Sequence, residues 1–205
     1  MVNRNDQQRI ADYYDRLVDR YGYDPKACDA SGAKSLEVRY RVLSAVTDLT
    51  GKSVLEVGCG FGDLGSYLQK KYAGVRYLGI DISRRMVEEG QKAHPNLPIR
   101  CQNVLEMHDE DEAFDVVLAQ GIFYLLGDNA EFKMRELIKK MFSLSKEAVA
   151  FCAISSWAPE QTNSEYCVDP VALLDWCRTL TTQIVLRHEY LPHDVTLYLY
   201  RSSNQ

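Results

Sequence analysis

The sequence has no CxxC pair, no HExxH motif and no run of 18 apolar residues. Its six cysteines, at 28, 59, 101, 152, 167 and 177, are scattered, so the paired spacing of a structural zinc site is missing. Several lie in apolar, strand-like runs, where a reduced thiol behaves as a small hydrophobe. The four histidines add no metal-binding pattern, and no metal is expected. Without a long apolar run there is no candidate for a membrane-spanning helix. The opening MVNRNDQQRIADYYDRL also lacks an apolar core of signal-peptide length. A cytoplasmic protein with no membrane contact is the expectation. Positive charge is in short supply too: 24 Lys and Arg stand against 29 Asp and Glu, a formal charge of −5. That disfavours a nucleic-acid partner held mainly through phosphates.

What is present suits one domain. The 205 residues are 46% hydrophobic and 26% charged, ordinary values for a chain that builds a full core. There is no internal repeat, low-complexity run or linker. Residues 6–20 place Ile10, Tyr13, Tyr14, Leu17 and Val18 at helical spacing, and a second helix is expected over 33–47. The turn-rich GYDPKACDASG (22–32) separates them. Strands and helices then alternate: strand 53–57, helix 62–72, strand 76–80, helix 83–94, strand 99–103, an acidic loop 106–112, strand 114–120, helix 129–143 and strand 147–155. Pro170 starts a short helix to about Cys177, and 184–190 with 195–201 reads as a hairpin at the sheet edge. Apolar strands interleaved with helices predict an α/β fold with a mostly parallel sheet. The expected division is a helical cover over 1–48 and an α/β core over 49–205. In such a sheet ligands bind beyond the carboxyl ends of the strands.

The glycine turn in VLEVGCGFG (54–62) follows a strand and opens a helix. Glycine lets the backbone adopt positive φ and approach a ligand, and the helix start offers unpaired N–H groups. A dinucleotide fingerprint, GxGxxG, fits only in part. Gly58 and Gly60 take the first two places, but the third falls on Asp63. Glu56 and Asp63 flank the turn, and two carboxylates repel a pyrophosphate. Asp81 ends the second strand, where a carboxylate accepts from ribose hydroxyls, a feature shared with NAD sites.

Together, VLEVGCGFG, GIDIS (79–83), CQNVLEM (101–107) and FDVVLAQGIFYLL (114–126) resemble the successive motifs of class I S-adenosylmethionine-dependent methyltransferases over residues 50–155. The resemblance implies a Rossmann-like, seven-stranded sheet of order 3-2-1-4-5-7-6, with its last strand antiparallel and N-terminal helices covering it. It implies S-adenosyl-L-methionine as cofactor, with S-adenosyl-L-homocysteine as its product. The backbone of Gly58, Cys59 and Gly60 then passes beneath the methionine portion, which the backbone of Gln120 also lines. Glu56 supports the loop and approaches the ammonium through water, Asp81 holds the ribose diol, and Ile82 packs on adenine. Asn103 and Val104 match positions around the adenine edge. Many relatives carry aspartate where this chain has Asn103; its amide oxygen can accept from the adenine amine and its amide nitrogen cannot, so its orientation is informative.

The implied reaction is in-line attack on the sulfonium methyl, which rests largely on positioning and needs a base when the acceptor is a hydroxyl. Tyr124 lies beyond the fourth strand, and Trp157 lies beyond the fifth. His188 and His193 belong to or flank the last connection. His193 is the first choice as base, with Tyr124 beside it. Tyr13, Tyr14 and Tyr21 are expected to shape a lid, and Arg39 or Arg41 to bind a carboxylate. The expected acceptor is an oxygen or nitrogen of a small aromatic or polar metabolite, and the expected state is a monomer or weak homodimer. RNA or protein methylation, and a regulatory protein that only binds an adenosine ligand, stand as alternatives.

Overall fold

The computed structural model describes residues 4–29, 32–107, 113–159 and 165–202. Residues 108–112 of the expected acidic loop, 30–31 of the turn-rich segment and 160–164 lie outside them. The element order is α1 (Arg4–Tyr21), a 3-10 turn (Pro25–Cys28), α2 (Ala33–Leu43), β1 (Ser53–Val57), α3 (Asp63–Lys71), β2 (Arg76–Asp81), α4 (Arg84–Ala93) and β3 (Ile99–Cys101). There follow β4 (Phe114–Gln120), α5 (Ala130–Leu144), β5 (Ser145–Ile154), α6 (Pro170–Cys177), β6 (Ile184–Arg187) and β7 (Asp194–Tyr200).

The seven strands form one sheet of order β3-β2-β1-β4-β5-β7-β6. The β1, β2, β3, β4 and β5 pairings are parallel, whereas β7 runs antiparallel to β5 and to β6. This is the expected topology. Strand alternation sends Leu55, Val57, Val117, Ala119, Val149 and Phe151 to one face, against α5 and α6. Val54, Val116, Leu118, Ala148 and Ala150 point to the other, with side chains of α2, α3 and α4. The doubly covered sheet explains why β4 and β5 read as continuous apolar runs.

Several element ends differ from the sequence reading. Helix α2 stops at Leu43 rather than 47, and the following turn is pinned where the Ser44 carbonyl accepts from Tyr72 Oη at 2.8 Å. β3 ends at Cys101 because Asn103 caps a 3-10 turn over Val104–Glu106. β6 ends at Arg187, which turns back to pair with Glu189. Among the described residues no helix is long and apolar enough to cross a membrane.

Helix α1 lies across the carboxyl end of the sheet. Its Asp15 accepts from Ser83 Oγ at 2.5 Å, and Asp19 pairs with Arg85, both at the start of α4. On the other side Arg9 donates to the Leu125 carbonyl at 2.6 Å, beyond β4, and Asp6 pairs with Lys133 of α5. Ser83 has a double duty: its Oγ also caps α4 by accepting from Met86 N at 3.0 Å. Ser83→Ala is therefore expected to cost about 1–2 kcal/mol by urea denaturation, the size of a lost N-cap. A loss under a few tenths of a kcal/mol would show that neither bond matters.

Candidate active site

The strand ends and α1 enclose a cavity of about 230 Å³. All nine positions proposed from the motifs line it: Glu56, Gly58, Cys59, Gly60, Asp81, Ile82, Asn103, Val104 and Gln120. They come from the carboxyl ends of four adjacent strands, so their convergence follows from the parallel sheet. Gly58 and Gly60 hold φ of 70° and 54°, the left-handed region that glycine tolerates. Gly58 N and Cys59 N both donate to the Ile80 carbonyl, at 2.8 and 3.0 Å, and Gly60 N donates to Asp81 Oδ2 at 2.8 Å. The other Asp81 oxygen accepts from Ser83 N at 2.8 Å. One carboxylate thus fixes both the glycine turn and the entry to α4.

Burial dominates the electrostatics. Desolvation pushes the Glu56 carboxyl up to about 8, with Asp63 and Asp81 adding like-charge repulsion. Tyr77 Oη donates to Glu56 at 2.5 Å and opposes this only in part. The sequence reading treated Glu56 as an ionised partner of Asp63; buried here, it holds its proton at neutral pH until a cation arrives. Desolvation also raises Asp81. Asp63 sits in the first turn of α3, where negative charge is favoured, and accepts from Tyr23 Oη at 2.5 Å. It also meets His94 Nε2 at 2.9 Å.

The orientation of Asn103 is set by its own turn. Its Oδ1 accepts from Leu105 N at 3.0 Å, which fixes the amide, and its Nδ2 is buried with no partner. The side chain therefore turns a donor, not an acceptor, to the cavity. Gln120 Oε1 is likewise buried without a partner. Orphaned polar atoms of this kind mark a place where a ligand completes the bonding.

The positions proposed for the acceptor and for catalysis divide. Tyr14, Arg39 and Tyr124 line the cavity. Tyr14 and Tyr124 share a 2.6 Å hydrogen bond, and Tyr124 donates to Asp29 Oδ2 at 3.0 Å. Tyr13 is set one step back and donates to the same oxygen at 2.8 Å. Arg39 is not open to a carboxylate, because its Nε and Nη2 lie 2.5 and 3.2 Å from the two oxygens of Asp194. The other candidates lie off the wall. Tyr21 is exposed beneath the Arg20 guanidinium, and Arg41 faces solvent on α2. Trp157 is 53% exposed and stacks on His188, whose Nε2 meets Ser155 Oγ at 2.7 Å. His193, the expected base, does not line the cavity; its Nε2 turns to Arg39 Nη2 at 3.3 Å. A nitrogen facing a guanidinium is held as an acceptor for that group.

Sequence reading missed Asp29, Cys28, Tyr40 and Glu165, which complete the wall. Their signal is weak: Cys28 and Asp29 sit in a turn, and nothing in local spacing directs a turn residue to a cavity.

The seven-stranded order, the glycine turn and the carboxylate on the second strand define the class: the chain has the fold and site arrangement of a class I S-adenosylmethionine-dependent methyltransferase. Residues 54–147 match the family described as "Methyltransferase domain". Among curated relatives, a phthiotriol/phenolphthiotriol dimycocerosates methyltransferase of Mycobacterium ulcerans is 37% identical over 81 residues, 38% of this chain and 30% of that protein. The chain thus matches about a third of that relative's length. A Mycobacterium tuberculosis protein provisionally named a methyltransferase is 25% identical over 74% of this chain and 94% of its own. In fold, the chain resembles the crystal structure of magnesium protoporphyrin IX methyltransferase from Synechocystis with bound SAM. The TM-score is 0.69 at 18% identity, covering 96% of this chain and 97% of that one.

Proposed function

We propose that the protein transfers a methyl group from S-adenosylmethionine to an oxygen or nitrogen of a small molecule with an apolar body. The observation that carries this is the Gly58–Cys59–Gly60 turn tied to Asp81, beside the unpartnered Nδ2 of Asn103, in one enclosed cavity. These residues fit the cofactor. The turn brings bare backbone to the methionine portion, Asp81 offers carboxylate oxygens to a ribose diol, and Ile82 and Val104 offer apolar surface to a base. Asn103 Nδ2 offers a donor to a ring nitrogen. Glu56, protonated when alone, ionises beside an ammonium group. When bound, the cofactor supplies an activated sulfonium methyl. The chain's own part is to hold the acceptor in line, exclude water beneath α1 and take up the acceptor's proton. Tyr124, within the cavity and bonded to both Tyr14 and Asp29, is placed to relay that proton onward where His193 is not. Ile10, Leu36, Ile122 and Ile154 supply apolar wall for the acceptor's body. The Mycobacterium ulcerans relative is named for phthiotriol and phenolphthiotriol dimycocerosates, small molecules rather than RNA or protein, which supports this reading.

Calorimetry with S-adenosylhomocysteine and NAD tests the donor. Micromolar binding of the sulfur compound is expected, and binding of NAD alone would sink the assignment. Asp81→Asn turns an amide NH2 toward a backbone N–H, because both carboxylate oxygens already accept from one. S-Adenosylhomocysteine affinity should fall about tenfold or more, the worth of a lost charge-assisted hydrogen bond. Incubating isotope-labelled donor with a cell extract tests the acceptor class. Label confined to RNA or protein would reject a small-molecule substrate.

A further inference from the structure

The polar side chains that line the cavity are mostly hydrogen-bond acceptors. Counting the whole wall among the described residues, six carboxylates (Asp29, Glu56, Asp63, Asp81, Glu165 and Asp194) face one cation, Arg39. That cation is paired with Asp194, and the pair is largely buried, with the two side chains 14% and 3% exposed. An anionic acceptor group would find no unpaired cationic side chain on the described wall, only the positive charge of the bound donor itself, and would face the repulsion of the surrounding carboxylates.

The tyrosines add a direction. Burial pushes the Tyr14 and Tyr124 hydroxyls above their ordinary pKa, so each keeps its single proton at neutral pH. Tyr124 gives its proton to Asp29 Oδ2. In the 2.6 Å bond between the two phenols Tyr14 must therefore be the donor. With that proton committed, Tyr14 offers the cavity only oxygen lone pairs. Gln120 Oε1, buried and unpartnered, offers another lone pair at the end of β4. Both groups need a ligand that donates.

We infer that the methyl acceptor is a neutral hydroxyl or an amine arriving neutral, never a carboxylate, and that Gln120 positions the molecule by accepting from an O–H or N–H other than the one whose proton is lost in transfer. This rests on the methyl-donor reading above. Transfer forms one C–O or C–N bond and leaves the electron pair of the broken C–S bond on sulfur. The acceptor's proton is released to Tyr14 Oη as Tyr14 passes its own to Tyr124 and Tyr124 passes its own to Asp29.

The test uses the full chain and Gln120→Leu, which keeps the backbone and removes the oxygen. The variant should bind S-adenosylhomocysteine within about threefold of wild type by calorimetry. Its thermal midpoint should rise by about 3 °C, because the unpartnered oxygen is gone. With labelled S-adenosylmethionine and a metabolite extract, wild type should yield a base-stable methyl ether or methylamine, and the variant at least tenfold less of it. A labelled product that releases methanol in mild base is a methyl ester, and would overturn the inference while leaving the donor reading intact. So would the absence of labelled product despite S-adenosylhomocysteine binding, a lowered thermal midpoint in the variant, or an undiminished yield from it. Failure of wild type to bind S-adenosylhomocysteine overturns the donor reading, and this inference with it.

Discussion

Gly58→Ala is expected to destabilise the protein by about 2–5 kcal/mol and to weaken S-adenosylhomocysteine binding at least tenfold. Two penalties combine. The residue sits at φ 70°, where a Cβ crowds its own backbone, and that Cβ would lie 2.2 Å from Ile122 Cγ2. The loop cannot easily rotate away, because Gly58 N and Cys59 N are both held by the Ile80 carbonyl. Ile122 must then give way, and it lines the same cavity. Gly51→Ala is the control: φ is 71°, but nothing lies within 4 Å of the added carbon, so only the backbone penalty of about 1 kcal/mol remains. Chemical denaturation of both variants separates the two terms. Equal losses would mean that Ile122 moves aside without cost.

The second large effect concerns Glu56 and pH. Its carboxyl titrates at about 8 in the folded protein, against an ordinary value of 4.5. Between those values the folded state holds a proton that the unfolded state has lost, so stability is greatest at low pH and falls as pH rises toward 8. Above 8 both states are ionised and the loss is complete. Across this window Glu56→Gln should remove roughly 3–5 kcal/mol of the decline, because an amide has no charge to desolvate. Asp81, raised in the same direction, contributes a residual slope in both proteins. Of the groups around Glu56, Asp63 and Asp81 repel its charge and reinforce the shift, while the hydrogen bond from the buried Tyr77 hydroxyl opposes it. Binding a ligand ammonium should reverse the balance, ionise Glu56 and release close to one proton near pH 7. Calorimetry in buffers of different ionisation enthalpy measures that proton directly. Urea midpoints flat from pH 5 to 8 in wild type would refute the stability argument, and no proton release on binding would place the ammonium elsewhere.

How much of this was legible beforehand differs between the two halves of the cavity. The glycine turn, Asp81, Asn103 and Gln120 each follow or end a strand, and apolar runs with helical spacers already predict parallel order. Those positions must therefore meet at one rim, and they do. The acceptor half has no such rule. Arg39 and Asp194 are 155 residues apart, Tyr14 and Tyr124 are 110 apart, and Asp29 occupies a turn between two helices. No local period brings such residues together, which is why His193, at a plausible rim position, was expected inside and instead turns toward Arg39.

The sequence by itself determined the mostly parallel α/β class and the rim where the glycine turn, Asp81, Asn103 and Gln120 meet, because both depend on short-range alternation of strand, turn and helix; the sheet order and the cofactor followed from the resemblance of its motifs to class I methyltransferases. Only the tertiary structure decided the protonation of Glu56, the donor orientation of Asn103 and the neutralisation of Arg39. Each of these depends on what burial removes from water and on which distant partner then stands within hydrogen-bond reach.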